Sequence, residues 1–276
     1  MAVSLETAPT EYLETGGIRF AYRRLGPDTG TPLILLQHFT GTIDSWDPAV
    51  VNGLATDRNI IVFDNAGVGA SSGTVPDNVG QQAADAETFI RALGFDEVDL
   101  LGFSLGGFIA QIMASRATLK VRKMIVAGSA PRGGEEHLLQ VVEGAFAKNA
   151  RDVRLPLFFT PSKKSQLAGE AFVNRALART QDRDPDSGEA ISEPQARSII
   201  AWCAGQDPDH GLLKAIKQPT LIVHGSDDTM FPSVNAYEMF KAMSDATLII
   251  YPDSGHGALF QYAQTFVAHV KTFLDT

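Results

Sequence analysis

The sequence predicts an α/β fold: a mostly parallel central sheet flanked by helices, with one helical insertion. Three observations carry this. Six short apolar runs, "LILLQ", "NIIVFD", "EVDLLGF", "VRKMIVAG", "TLIVHG" and "TLIIYP", have the unbroken hydrophobicity of strands covered on both faces. Helical-period segments separate several of them, and strand–helix alternation implies right-handed βαβ units in one open sheet. The alternation lapses from about residue 133 to 214 and resumes at "QPTLIVHG". The expected organisation is therefore a core of residues 1–132 and 215–276, with residues 133–214 inserted as a helical cap.

Taken in order, "EYLETGGIRFAYRRLG" reads as a hairpin, with Gly16 and Gly17 between two alternating stretches. In "QQAADAETFIRALGF", Ala84, Phe89, Ile90 and Leu93 recur on one helical face, and Gly94 suits the C-terminal cap. Beyond Ser104, Leu105, Phe108, Ile109 and Ile112 have helical spacing. Within the insertion, Leu155, Leu157, Phe158 and Phe159 either roof a pocket or fill the insertion's own core, and the polar "TQDRDPDSGE" reads as solvated surface. Leu259, Tyr262, Phe266, Val270 and Phe273 mark a final helix.

Hydrophobic content of 44% and charged content of 20% suit a globular chain with a sizeable core. A net charge of −9 argues against nucleic acid or anionic membrane as partner, since both need a basic face. The start, "MAVSLETAPTEYLETGG", has neither the basic residues nor the apolar core of a signal peptide, and no run is long and apolar enough for a bilayer. Cys203 stands alone, which excludes an internal disulfide, fits a cytoplasmic protein and suits a small buried hydrophobe.

Ser104 lies in "VDLLGFSLGGFIAQIMA", where a buried strand meets an apolar helix with no residues left for a loop. The serine must turn sharply at positive φ, and neighbours two residues away must lack side chains; Gly102 and Gly106 meet that need. Such a G-x-S-x-G turn presents Oγ at the carboxyl end of the sheet, with the Leu105 N–H aimed at the same space. A serine hydroxyl needs a base, and the base an orienting carboxylate. "SDDTMFP" follows one strand with two acids, Asp227 and Asp228, and "DSGHGALF" follows the next with His256. Strand ends on one side of a parallel sheet gather at one edge, so these groups can meet. Of six histidines, His224 lies inside a strand and reads as structural, His269 lies on the last helix, and His137 and His210 lie in the insertion. His256 fits the base. "GVGASS" lacks the third glycine and the following helix of a dinucleotide loop. No metal-ligand spacing is visible.

With these segments assembled, the chain resembles the α/β-hydrolase superfamily over essentially its whole length. The resemblance rests on "LILLQHFTGTIDSW", "FDNAGVGASSG", "GFSLGG", "GSDDTMFP" and "SGHG", which fall in the family's order. The details resemble the esterase, lactonase and cofactor-free haloperoxidase branches, whose members carry a helical cap after the sixth strand. The family pattern G-x-x-D-x-x-x-P, matched by Gly225, Asp228 and Pro232, implies Asp228 as the triad acid, and Asp64, Gly67, Gly69 and Ser71 match D-x-x-G-x-G-x-S. The usual His-Gly-aromatic text is replaced by Gln37-His38-Phe39. The resemblance then implies an oxyanion hole from the N–H groups of Phe39 and Leu105, or of Thr40 if the register slips by one. His38 and Gln37 either stabilise that loop by hydrogen bonding, or His38 reaches the substrate. Trp46 and Phe103 are expected in the pocket wall.

The implied activity is a serine hydrolase of carboxylic esters or lactones, with a Ser104-His256-Asp228 triad and an acyl-enzyme. No cofactor and no metal are expected, and the partner is a small-molecule ester or lactone; the oligomeric state is open, a homodimer included. A serine at the elbow argues against dehalogenases and epoxide hydrolases, which place an aspartate there. Perhydrolase or haloperoxidase activity, carbon–carbon bond hydrolysis and a non-catalytic ligand receptor are the alternatives.

Overall fold

The computed structural model describes residues 3–133 and 151–276. The first hairpin pairs β1 (Glu11–Thr15) with β2 (Ile18–Leu25), and Gly16 and Gly17 turn it at φ 58° and 78°. The six apolar runs become β3 (Leu33–Leu36), β4 (Ile60–Phe63), β5 (Glu97–Phe103), β6 (Lys120–Ala127), β7 (Thr220–Gly225) and β8 (Ala246–Tyr251). One sheet runs β1-β2-β4-β3-β5-β6-β7-β8. The pairs β1–β2 and β2–β4 are antiparallel, and every pair from β4 through β3 to β8 is parallel. Every residue of β3 and β4 is buried, as expected where helices cover both faces. β8, at the sheet edge, stays partly exposed.

α1 (Pro48–Leu54) starts at Asp47, whose side chain accepts the Ala49 N–H. α2 (Val79–Ala92) starts at Asn78, and Gly94 at φ 86° closes it. Its inward face is Val79, Gln82, Ala83, Ala86, Phe89 and Ile90; Ala84 and Leu93, expected there, are only half-buried. Phe89 sets the helix rotation by stacking on Phe63 at 4.7 Å and packing on Phe20 at 5.1 Å. α3 (Leu105–Arg116) is buried on all sides from Leu105 to Ala114.

Between β6 and β7 the described residues hold four helices and no strand: α4 (Arg154–Phe158), α5 (Lys163–Ala176), α6 (Glu189–Cys203) and α7 (Gly211–Ala215). Residues 134–150, with His137, lie outside the described residues. Several contacts fasten the segment to the rest of the chain. Arg175 makes a two-pronged bond to the Asp47 carboxylate at 2.7 and 2.8 Å. Trp202 stacks on Phe108 at 4.7 Å. The Asp184 N–H donates to Asp44 Oδ2 at 2.8 Å, and Asp44 is itself paired to fully buried Arg23 at 2.6 Å. The "TQDRDPDSGE" stretch is thus not simply solvated surface. Asp184 is buried, because the Asp44–Arg23 pair needs its backbone N–H inside.

α8 (Val234–Ala242) crosses from β7 to β8. After β8, the predicted last helix is broken at Tyr262 into α9 (Ala258–Gln261) and α10 (Ala263–Asp275). The break rotates the second part, so that Phe266, Val270 and Leu274 face inward while Tyr262 and Phe273 remain half-buried.

Candidate active site

Ser104 joins β5 to α3 with φ 54° and ψ −117°, a positive-φ conformation that costs about 1–3 kcal/mol and needs support. The support is local: Ser104 N–H donates to Ala127 O at 3.0 Å, and Ser129 Oγ donates to Ser104 O at 3.0 Å. The two glycines are explained by distance. The register places Leu36 opposite Gly102, and a Cβ on Gly106 would lie 2.0 Å from Leu36 O. A Cβ on Gly102 would lie 2.3 Å from Gly106 O. Only bare backbone lets the elbow close.

The acid turn leaves β7 and places Asp228 and Asp227 differently. Asp227 is exposed and accepts from Ser226 Oγ. Asp228 is buried; its Oδ1 accepts the N–H groups of Met230 and Phe231 at 2.9 and 3.0 Å, and its Oδ2 accepts from His256 Nδ1 at 2.8 Å. The histidine loop can sit this close because Gly225 ends the strand: a Cβ there would lie 2.2 Å from Gly255 O. Burial alone would raise the Asp228 pKa. The charge on His256 and the hydrogen bonds from both neighbouring imidazoles outweigh it and hold the carboxyl well below the usual range.

The second imidazole is His224. Its Nε2 donates to Phe231 O at 2.6 Å and stands 3.2 Å from Asp228 Oδ2. Burial would lower its pKa, but the Asp228 carboxylate raises it overall. His224, read from the sequence as structural, is a fully buried strand residue that also meets the acid four residues on, because the turn folds back.

An ionised Asp228 only accepts, so His256 Nδ1 carries the proton of their shared hydrogen bond, which in the neutral tautomer leaves the lone pair on Nε2. That Nε2 makes no hydrogen bond among the described residues. Ser104 and His256 line one cavity of about 410 Å³, whose other walls include Phe39, Thr40 and Met230 from the core and Leu157, Phe158, Arg154 and Arg183 from the insertion. Leu155 and Phe159 turn away and pack toward Gly169 of α5.

The N–H groups of Phe39, a lining residue, and of Leu105, which follows Ser104, take no part in the hydrogen bonds among the described residues. The Thr40 N–H is taken by Gln195 Oε1 at 2.6 Å. Gln37 braces the loop through its Oε1, which accepts the His38 N–H at 2.9 Å, and its Nε2, which donates to Thr42 O at 2.6 Å. His38 also lines the cavity, and its Nδ1 donates to Phe39 O at 2.8 Å. Burial, joined by the charges of Arg154 and His256, pushes its pKa down to about 3 against the pull of that carbonyl, so the ring is neutral. Two wall residues expected from sequence are placed elsewhere. Trp46 is fully buried against Phe260 at 6.4 Å, and Phe103 lies beneath the cavity, packed on His256 at 5.0 Å and His38 at 5.3 Å.

Among the described residues no group of three or more His, Cys, Asp or Glu side chains is placed to hold a metal ion, and no helix is long and apolar enough to cross a membrane.

A family model described as alpha/beta hydrolase fold matches residues 31–263. A solved alpha/beta hydrolase fold protein from Chitinophaga pinensis is 43% identical, with a TM-score of 0.95 over 99% of each chain. A non-heme haloperoxidase from Rhodococcus erythropolis is 26% identical over 94% of this chain and 97% of its own. A 2-hydroxy-6-oxo-6-(2'-aminophenyl)hexa-2,4-dienoic acid hydrolase from Metapseudomonas resinovorans is 24% identical over 96% of this chain and 90% of its own.

Proposed function

The chain belongs to the alpha/beta hydrolase fold family, and from that premise we propose that it is a serine hydrolase of carboxylic esters or lactones. The observation that carries the reading is a strained serine at an elbow, sharing one cavity with an imidazole whose far nitrogen is bonded to a buried carboxylate. Ser104 Oγ attacks the carbonyl carbon as His256 Nε2 takes its proton, and Asp228 holds the tautomer and stabilises the imidazolium. The Ser104–His256 hydrogen bond forms as substrate seats, a common behaviour of enzymes whose catalytic bonds tighten only in the complex. The N–H groups of Phe39 and Leu105 receive the oxyanion; the Thr40 N–H already donates to Gln195 Oε1, which supports Phe39 over Thr40 in that part. Each such donor contributes about 3–4 kcal/mol to the transition state. The alcohol leaves with the proton from His256; water, deprotonated by His256, then attacks the acyl carbonyl, the acyl–Oγ bond breaks as His256 returns that proton to Ser104 Oγ, and the acid departs. The helices between β6 and β7 act as a cap over this site, and a cavity of about 410 Å³ suits a small substrate. A cytoplasmic location, suggested by the lone Cys203, belongs to the same proposal.

Short p-nitrophenyl esters are the test substrates. Ser104→Ala should lower their turnover by about 10⁴-fold or more, and a fluorophosphonate should tag the peptide holding Ser104; a tag elsewhere refutes the nucleophile. Peroxide acting in place of water is the second reading, favoured by the likeness to a haloperoxidase. Bromination of monochlorodimedone with acetate and peroxide would support it. The likeness to a dienoic acid hydrolase keeps carbon–carbon hydrolysis as an outcome of the same substrate panel, and stoichiometric ligand binding without turnover would indicate a receptor.

A further inference from the structure

We propose that Gln195, with Ser187, is a positioning residue for the oxyanion loop, so that the inserted segment sets the geometry in which the acyl oxyanion is received. The inference rests on the reading of Ser104 as nucleophile and Phe39 N–H as oxyanion donor. Thr40 follows Phe39 with φ 58°. It is the third residue of a turn closed by the Gly41 N–H on His38 O at 3.0 Å, a place where positive φ suits glycine and strains a β-branched residue. Something outside the turn must hold it.

Two residues of the insertion do so. Gln195, from α6 and fully buried, accepts the Thr40 N–H at 2.6 Å. Ser187 Oγ donates to Thr40 O at 2.7 Å. Both backbone polar groups of Thr40 are therefore gripped from the segment 147 or more positions further along the chain. The Phe39 carbonyl, on the same peptide plane as the Thr40 N–H, is fixed from its other end by His38 Nδ1 at 2.8 Å and Thr40 Oγ1 at 2.7 Å. The Phe39 N–H lies on the preceding plane, whose His38 carbonyl accepts the Gly41 N–H at 3.0 Å, so pinning the Phe39–Thr40 plane holds the turn that orients it. Gln195 is held in turn: Ser198 Oγ donates to its carbonyl at 2.7 Å and accepts Gln82 Nε2 of α2 at 3.2 Å. The chain of contacts runs from a core helix through the insertion to the oxyanion loop.

Acceptor and bulk can be separated. Gln195→Leu keeps the volume and removes the acceptor. It should lower kcat for a p-nitrophenyl ester by about 30-fold, less than the 10²–10³-fold seen when an oxyanion donor is removed outright, with KM within about threefold. Gln195→Glu restores an acceptor oxygen and should return kcat to within about fivefold of the parent protein. If packing alone matters, Leu is tolerated and Glu is not, which overturns the proposal. Should the Leu variant fail to fold, Ser187→Ala, at a half-buried loop position, should lower kcat about fivefold at unchanged KM; an unchanged kcat there also overturns it. End-point fluorophosphonate labelling of Ser104 distinguishes the two levels. Labelled parent protein with an indifferent Gln195 sinks only this inference, whereas no label at Ser104 in the parent sinks the nucleophile assignment itself.

Discussion

Replacing His38 by glutamine should flatten the acid side of the stability curve. His38 is buried, donates Nδ1–H to the Phe39 carbonyl, and lies between the rings of Phe103 and Phe158 at 5.3 and 5.5 Å. Its pKa in the folded chain is pushed down to about 3, against 6.5 for the free ring. Between these values the unfolded chain binds a proton that the folded chain does not, so stability rises with pH through this window and falls on acidification from 6.5 toward 3. At pH 5.0 the cost is about 2 kcal/mol, and at pH 7.5 it is close to zero. The pH 5.0 figure holds for any folded pKa below about 4, because there the cost is set by the unfolded ring alone. The amide introduced by His38→Gln keeps a donor for Phe39 O and titrates nowhere. Urea unfolding at pH 7.5 and 5.0 reads the result: the parent should lose about 2 kcal/mol more than the variant between the two pH values. Equal losses would mean that the imidazole accepts a proton inside the fold, and the neutral-ring account would be wrong.

Asp228→Asn should cost about 10⁴-fold in kcat with the fold retained. The amide oxygen stays on the Met230 and Phe231 N–H groups, so the NH₂ faces His256 Nδ1 and forces the proton to Nε2, where the base is needed; a kcat within tenfold of the parent would refute this. Arg23→Met leaves Asp44 buried without its main partner, which costs about 3 kcal/mol, at the low end because Arg179 remains 3.9 Å from it. Calorimetry should show a Tm lower by roughly 5 °C, and an unchanged Tm would count against a structural role for the pair.

The elbow was legible in the sequence because its constraints are local. Gly102, Ser104 and Gly106 are spaced by the turn itself, and the strand before and helix after are written in adjacent residues. The same holds for the six parallel strands and for the acid and histidine loops, each following its own apolar run. Helix faces were less legible. In α2 the choice between Ala84 and Ala86 depended on which aromatic partners waited across the sheet, and Phe20 and Phe63 are supplied from elsewhere in the chain. Ser104, Asp228 and His256 could be chosen by pattern, but not their bonds: His224 sits one residue from a motif glycine and nothing in that text says it turns back on Asp228.

By itself the sequence determined the period and order of the elements and the chemical groups brought to the carboxyl edge of the sheet, since strand hydrophobicity and tight-turn sterics act between near neighbours. Only the tertiary structure decided that Trp46 serves the core, that a polar run buries Asp184 against Asp44, and that Gln195 reaches Thr40. Those outcomes depend on which polar groups must be satisfied once distant segments are pressed together. A buried N–H or carboxylate selects its partner by distance in space, a quantity that the linear order of residues does not contain.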